Sequence, residues 1–415
     1  MKIDVYLGIP FAEPPIGELR FKRPQPLTKK WDNILLAKKF ASICPQSNQI
    51  ASILSPQSSY SENCLYLNVW TPNSQEAGNL RPVIFIVHGG AFIWGSASDA
   101  IYNGLRTAFK QTKKFAEITG CLRNQTEVDE KLSESIMHCL RNLNLSTIIE
   151  KQLLGSSIFN YELSFSPIYG DAFMPKHPVK AIEDGDFKMN STVLLSLTDY
   201  EALLWDYTLA FNSNFSFLKK CKDKNKFEEF VKTIVKVNGR WAEFDDILKY
   251  YFDAIANIES ETFLDTFTEL LADYRTVCPV MLLGQALTKQ GVNVYIYKMS
   301  YKTVNKVSDE WSITRHSDRC GHFEDVRYAF GVPFQQSEYD ENDRKVSEYV
   351  MQIIANFSKH DKLNWNKLHK TRSEFIVIPF VQNIDKYGIK IEADYKAMIC
   401  NLWKPIIVDS FKKNF

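Results

Sequence analysis

Pro82-Val83-Ile84-Phe85-Ile86-Val87-His88-Gly89-Gly90-Ala91-Phe92 joins an apolar run to two adjacent glycines. Backbone N–H groups at Gly89 and Gly90 have no side chain in their way, which suits an oxygen that becomes negative during acyl transfer. A bare Gly-Gly is more often an ordinary tight turn. The apolar run, read as a buried strand, and the preceding His88 shift the reading to an oxyanion hole at Gly89 and Gly90, with Ala91 closing the motif. Such a hole serves a nucleophile, which on a strand-to-helix elbow takes the form G-x-S-x-G. No two of the 17 glycines lie four residues apart, so that motif does not occur. Gly95-Ser96-Ala97-Ser98-Asp99 is the nearest imitation; it fails at its last position and reads as a loop cap.

The elements that would position these groups read as α/β. Strand-like runs recur at Leu65 to Val69, Val83 to Val87, Val193 to Leu197, Val292 to Tyr297 and Phe375 to Ile378, with helical patterns between them. The clearest helix spans Asp343 to Lys359, where Val346, Val350, Ile353, Ile354 and Phe357 share one face at spacings of three and four. A second runs from Val277 to Gln290 and stops beside Gly291. The strand Val292 to Tyr297 follows at once, as in a doubly wound sheet. No repeat or low-complexity segment interrupts the chain, so residues 1–415 are expected to form one continuous domain.

Fifty Lys and Arg against 49 Asp and Glu leave a net charge of +1, so no bulk field draws the chain to nucleic acid or an anionic membrane. Its apolar runs fall far short of the roughly 18 residues a spanning helix needs. Met1 to Tyr6 lacks the marks of a secretory signal, which taken alone says cytosolic. Eight cysteines and five sequons, at Asn124, Asn144, Asn190, Asn214 and Asn356, lean toward an oxidising, glycosylating compartment. No cysteines form CxxC pairs and the histidines are scattered, so neither a metal nor a cofactor is expected.

Three motifs in order resemble the type-B carboxylesterase and cholinesterase family. Leu7-Gly8-Ile9-Pro10-Phe11-Ala12-Glu13-Pro14-Pro15 resembles its opening signature, and Ser61-Glu62-Asn63-Cys64-Leu65-Tyr66-Leu67-Asn68-Val69-Trp70-Thr71-Pro72 its second. The glycine turn at 88–91 follows. The likeness resumes at Phe115-Ala116-Glu117-Ile118-Thr119-Gly120-Cys121 and runs to Cys400-Asn401-Leu402-Trp403. It implies an α/β-hydrolase fold with a mostly parallel central sheet flanked by helices, here incomplete. The chain is N-terminally short, and a deletion falls between about Asn103 and Lys113, where the family carries core strands and the serine elbow.

The same resemblance supplies the other triad members. Ser196-Leu197-Thr198-Asp199-Tyr200-Glu201-Ala202 is similar to the family's acid motif, which makes Glu201 the acid candidate, although Tyr200 and Ala202 depart from the pattern. His322-Phe323-Glu324-Asp325-Val326-Arg327-Tyr328-Ala329-Phe330-Gly331 matches the histidine segment and makes His322 the general base; His316 lacks that downstream spacing. Imidazole takes and returns a proton near neutral pH. The resemblance pairs Cys44 with Cys64, Cys121 with Cys139 and Cys278 with Cys400, leaving Cys221 and Cys320 over. Cholinesterases carry a tryptophan in the first of these loops; here Tyr60 is its only aromatic, which favours small carboxylic esters in general over a choline ester.

Loss of the serine alone costs such enzymes on the order of a million-fold in turnover. The expectation is a secreted esterase-family chain that is inactive or very weak, with no membrane span. Ser96 would substitute only within hydrogen-bond reach of His322. The alternatives are a non-catalytic adhesion module, as in catalytically silent cholinesterase-like proteins, and a non-functional isoform or gene-model fragment.

Overall fold

The computed structural model describes residues 3–28, 31–46, 59–72, 83–90, 95–96, 119–121, 134–154, 169–172, 174–202, 221, 223–235, 240–255, 263–301, 319–363, 367, 374–378, 390–393 and 396–413. They fall into two compact units, Met1–Pro175 and Lys176–Phe415.

In the first unit, β1 (Ile3–Pro10) pairs antiparallel with β2 (Tyr66–Pro72), with an irregularity between Tyr6 and Ile9. Gly8 sits inside that irregularity with φ of 68°, and a Cβ there would lie 2.7 Å from the Lys39 carbonyl oxygen. Only glycine fits such a close approach in the left-handed region. Its N–H donates to Asn68 Oδ1 at 2.8 Å, fixing β1 to β2 at the bend. Helices α1 (Glu134–Asn142) and α2 (Leu145–Leu154) bury Ile136, Leu140 and Ile148 together. Arg20 ties them in. Its guanidinium holds both Glu62 oxygens and donates to the carbonyls of Arg141 (2.8 Å) and Leu143 (2.7 Å), a bidentate fork no lysine could make.

Val83–Val87 departs from the expected buried strand. Among the described residues it has no regular secondary structure, and its side chains are exposed, Val83 by 88% and Phe85 by 80%. Apolar content specifies a strand only where a sheet receives it, and neither sheet of the described residues takes it in.

The second unit is built on a four-stranded sheet ordered β3 (Thr192–Thr198), β4 (Asn293–Met299), β5 (Glu374–Ile378), β6 (Lys390–Ala393). The first three strands are parallel and β6 runs antiparallel on the edge. β4 is buried along nearly its whole length, which explains its continuous run of Val, Tyr, Ile and Met. Around the sheet the chain forms α3 (Pro178–Asp184), α4 (Lys224–Ile234), α5 (Trp241–Ile255), α6 (Phe263–Ala272), α7 (Cys278–Lys289), α8 (Glu324–Ala329), α9 (Glu341–His360) and α10 (Ala397–Lys413). A π-helical turn, Asp273–Val277, joins α6 to α7. This is the α/β architecture expected, with a small parallel sheet in place of a full one.

Helix α9 lays Val346, Val350 and Ile353 against Tyr295, Tyr297 and Met299 of β4, the face its periodicity selects. Its start is anchored by Asp343, which is fully buried. Asp343 Oδ1 accepts from the hydroxyls of Tyr301 (3.2 Å) and Tyr328 (2.9 Å), and Oδ2 accepts from the Asp340 N–H (2.9 Å) in a capping box. Asp343→Ala leaves two buried hydroxyls and a helix cap without their acceptor. It is expected to lower the free energy of unfolding by about 3 kcal/mol. Guanidinium denaturation checks this, and a change below about 1 kcal/mol would contradict the assigned role.

Candidate functional site

At the carboxyl end of β3 the chain turns sharply through Asp199, Tyr200, Glu201 and Ala202, the place where open α/β sheets put their sites. Backbone bonds pin the turn from two sides. Asp199 N–H donates to the Met299 carbonyl at the end of β4 (2.8 Å), and Tyr200 N–H donates to Cys320 (2.8 Å). His322 N–H donates back to the Tyr200 carbonyl at 3.2 Å. These contacts bring together the two residues that the sequence marks as acid and base, 121 positions apart.

Glu201 is buried and both its oxygens are engaged. Oε1 accepts the Thr198 N–H at 2.6 Å, and Oε2 lies 2.5 Å from His322 Nδ1. With Nδ1–H held by the carboxylate, the imidazole carries its free lone pair on Nε2, the tautomer a general base needs. The His322 side chain is 35% exposed. Phe323, next in the chain, has φ of 79°, an unusual conformation for a bulky side chain beside the imidazole.

Burial opposes charge on His322, but the Glu201 carboxylate and its hydrogen bond outweigh it and raise the imidazole above its ordinary 6.5. Burial likewise pushes Glu201 up; the charge and hydrogen bond of His322 outweigh that and hold it down. Asp325, in the first turn of α8 and also buried, is raised, first by burial and then by the charge of Glu201.

Two residues that sequence reasoning passed over support the turn. Arg319 donates to the Asp199 carbonyl (2.5 Å) and lies 4.8 Å from the centroid of the Tyr200 ring. Asp325 sits in the electrostatic field of the dyad. No spacing rule singles it out, because Phe323 takes a left-handed φ between His322 and the start of α8, so the two do not lie on one helical turn.

Gly89 and Gly90 belong to the first unit, where Gly90 has φ of 109°. His88 beneath them is buried, and burial pushes its pKa down to about 4, so the ring is neutral at neutral pH. Its Nδ1–H donates to the Gly89 carbonyl. Gln46 clasps the following turn, accepting the Gly95 N–H at 2.9 Å and donating to the carbonyls of Gly95 (3.0 Å) and Cys44 (3.1 Å). Gly95 has φ of 103°, and a Cβ would lie 2.7 Å from the His88 ring, so no other residue fits without moving it. Ser96 is fully buried, a hydroxyl closed to solvent. Ala91, His316 and the junction at 103–113 lie outside the described residues.

Cys44–Cys64, Cys121–Cys139 and Cys278–Cys400 form disulfides; Cys221 and Cys320 are buried thiols. Among the described residues no cluster of His, Cys, Asp or Glu is placed to hold a metal, and no helix is long and apolar enough to cross a membrane.

The model of the carboxylesterase family matches residues 1–108 and 102–403. The chain is 22% identical to the acetylcholinesterase of Leptinotarsa decemlineata over 540 aligned positions, covering 98% of this chain and 83% of that protein. It is 21% identical to Carboxylesterase 1C of Mus musculus over 474 positions, covering 87% of this chain and 81% of that one. A shorter stretch of 97 residues, 23% of the chain, is 47% identical to a probable cholinesterase of Acanthamoeba polyphaga mimivirus, of which it covers 17%.

Proposed function

Because the chain belongs to the carboxylesterase family, we propose that it is a cholinesterase-like carboxylic ester hydrolase scaffold whose acid and base are present and whose serine nucleophile is not encoded. Glu201 is the acid, His322 the base, and Gly89 and Gly90 are the oxyanion donors. The hydrogen bond between Glu201 and His322, in a chain without G-x-S-x-G, carries this reading.

An internal deletion near 103–113 is supported by two findings. The family match breaks into two segments that meet at 102–108. The alignment with the acetylcholinesterase of Leptinotarsa decemlineata runs over 540 positions, more than the 415 residues of this chain, so that protein carries internal residues this chain lacks. The family match runs through both compact units, which supports a single carboxylesterase domain over 1–415. Substrates of the scaffold are small-molecule carboxylic esters, and the lack of tryptophan between Cys44 and Cys64 argues against a choline-selective pocket. The three disulfides and the exposed sequon asparagines Asn144, Asn190 and Asn356 support a secreted glycoprotein.

Treating the purified chain with a fluorophosphonate probe is expected to give no adduct on any serine by intact and peptide mass. A labelled serine would overturn the reading. A second reading, a non-functional fragment, draws on the exposed apolar run Val83–Val87. A cooperative thermal melt would exclude it, and a broad, featureless one would favour it.

A further inference from the structure

We infer that His322 is itself an acyl acceptor, its Nε2 attacking activated aryl esters of small carboxylic acids. The inference rests on reading Glu201 and His322 as the surviving acid and base.

The geometry meets the needs of imidazole catalysis without help from a hydroxyl. A nucleophilic imidazole must present a lone pair in a fixed direction and be open to its substrate. Glu201 Oε2, 2.5 Å from Nδ1, fixes the ring and directs the lone pair to Nε2. Glu201 is itself locked by the Thr198 N–H and by burial, so the ring is oriented by a rigid partner. The backbone bonds between Tyr200, Cys320 and His322 hold the Glu201 turn and the His322 segment side by side. The His322 side chain is 35% exposed.

In the first step the Nε2 lone pair forms a bond to the acyl carbon, the bond from that carbon to the aryl oxygen breaks, and the phenolate leaves with the electron pair. The product is an acylimidazolium whose proton stays on Nδ1, hydrogen-bonded to the Glu201 carboxylate. Water then adds to the acyl carbon, the N–C bond breaks with its electron pair returning to Nε2, and the two water protons pass to solvent as the carboxylate departs.

The test uses the full chain with p-nitrophenyl acetate between pH 6 and 9, beside His322→Asn and Glu201→Gln, each checked by thermal melt. His322→Asn retains an N–H for Glu201 and lacks Nε2. It is expected to lower the pseudo-first-order rate roughly tenfold or more. Glu201 is a positioning residue, and its readout is the pH profile. Only the neutral imidazole attacks, so the rate rises with pH through the folded pKa, which burial lowers and the Glu201 carboxylate, with a smaller push from Asp325, raises to a net value above 6.5. Glu201→Gln removes that raising charge and is expected to move the midpoint to lower pH; a purely structural effect would scale the rate and leave the midpoint in place. Acid-quenched wild-type protein should carry an acetyl group on the His322 peptide, a readout that stands even if a variant misfolds. An unchanged rate in a folded His322→Asn, an unmoved midpoint, or acetyl groups confined to lysines would overturn the inference. A fluorophosphonate adduct on serine would instead overturn the serine-less reading, so the two failures are distinct.

Discussion

Replacing Cys278 and Cys400 together by alanine is expected to lower the free energy of unfolding by about 4 to 5 kcal/mol. The bridge closes a loop of 122 residues, so its removal returns much chain entropy to the unfolded state. It also joins the first turn of α7 to the first turn of α10, both half-cystines being buried. The Cys44–Cys64 bridge closes only 20 residues and should contribute less, about 3 kcal/mol. Guanidinium denaturation of the double variant against the oxidised parent checks the larger figure. A loss under about 1 kcal/mol would mean that the unfolded chain is already held compact without the bridge.

Lys396→Met is expected to be nearly as costly, about 3 to 5 kcal/mol at pH 7, because it strands a buried charge. Lys396 Nζ lies 2.6 Å from Asp273 Oδ1 and 2.7 Å from Glu269 Oε1, and Asp273 is 0% exposed. The same carboxylate accepts the Tyr251 hydroxyl at 2.7 Å, and that hydroxyl accepts Trp403 Nε1–H at 3.3 Å. Burial raises Asp273 above its ordinary 3.8, with Lys396 pulling the other way. A carboxyl whose folded pKa exceeds its unfolded one binds its proton better in the fold. Its contribution is therefore present below about pH 3.8 and lost as pH rises through the folded value. Without Lys396 the folded value climbs further, so the deficit of Lys396→Met should shrink toward pH 4 and grow toward pH 8. Denaturation series at both ends of that range read it. A deficit independent of pH would show that the lysine acts by packing alone.

How much of this was legible depended on whether the signal was local. Strands β3, β4 and β5 and helices α7 and α9 follow from periodicity and from Gly291, because their burial is set by neighbouring residues in the same element. β1 and β6 escaped, since Ile3-Asp4-Val5-Tyr6 and Lys390-Ile391-Glu392-Ala393 mix charge into edge strands, β1 broken in register at Gly8 and β6 only four residues long. Val83–Val87 misled for the opposite reason: its composition promises burial that only partner strands could supply. The site divided in the same way. Glu201 and His322 could be named through resemblance, yet their contact depends on Tyr200 pairing with Cys320 and Gly321, which no spacing encodes. Arg319 went unseen because its role lies in the Asp199 carbonyl and the Tyr200 ring, both distant in sequence.

The run from Val83 to Val87 also bears on how the protein behaves in a test tube. Five consecutive apolar side chains open to water are a template for pairing with the same run on another molecule. Refolding is first order in protein whereas such association is second order, so recovery of monomer should fall steeply as the refolding concentration rises.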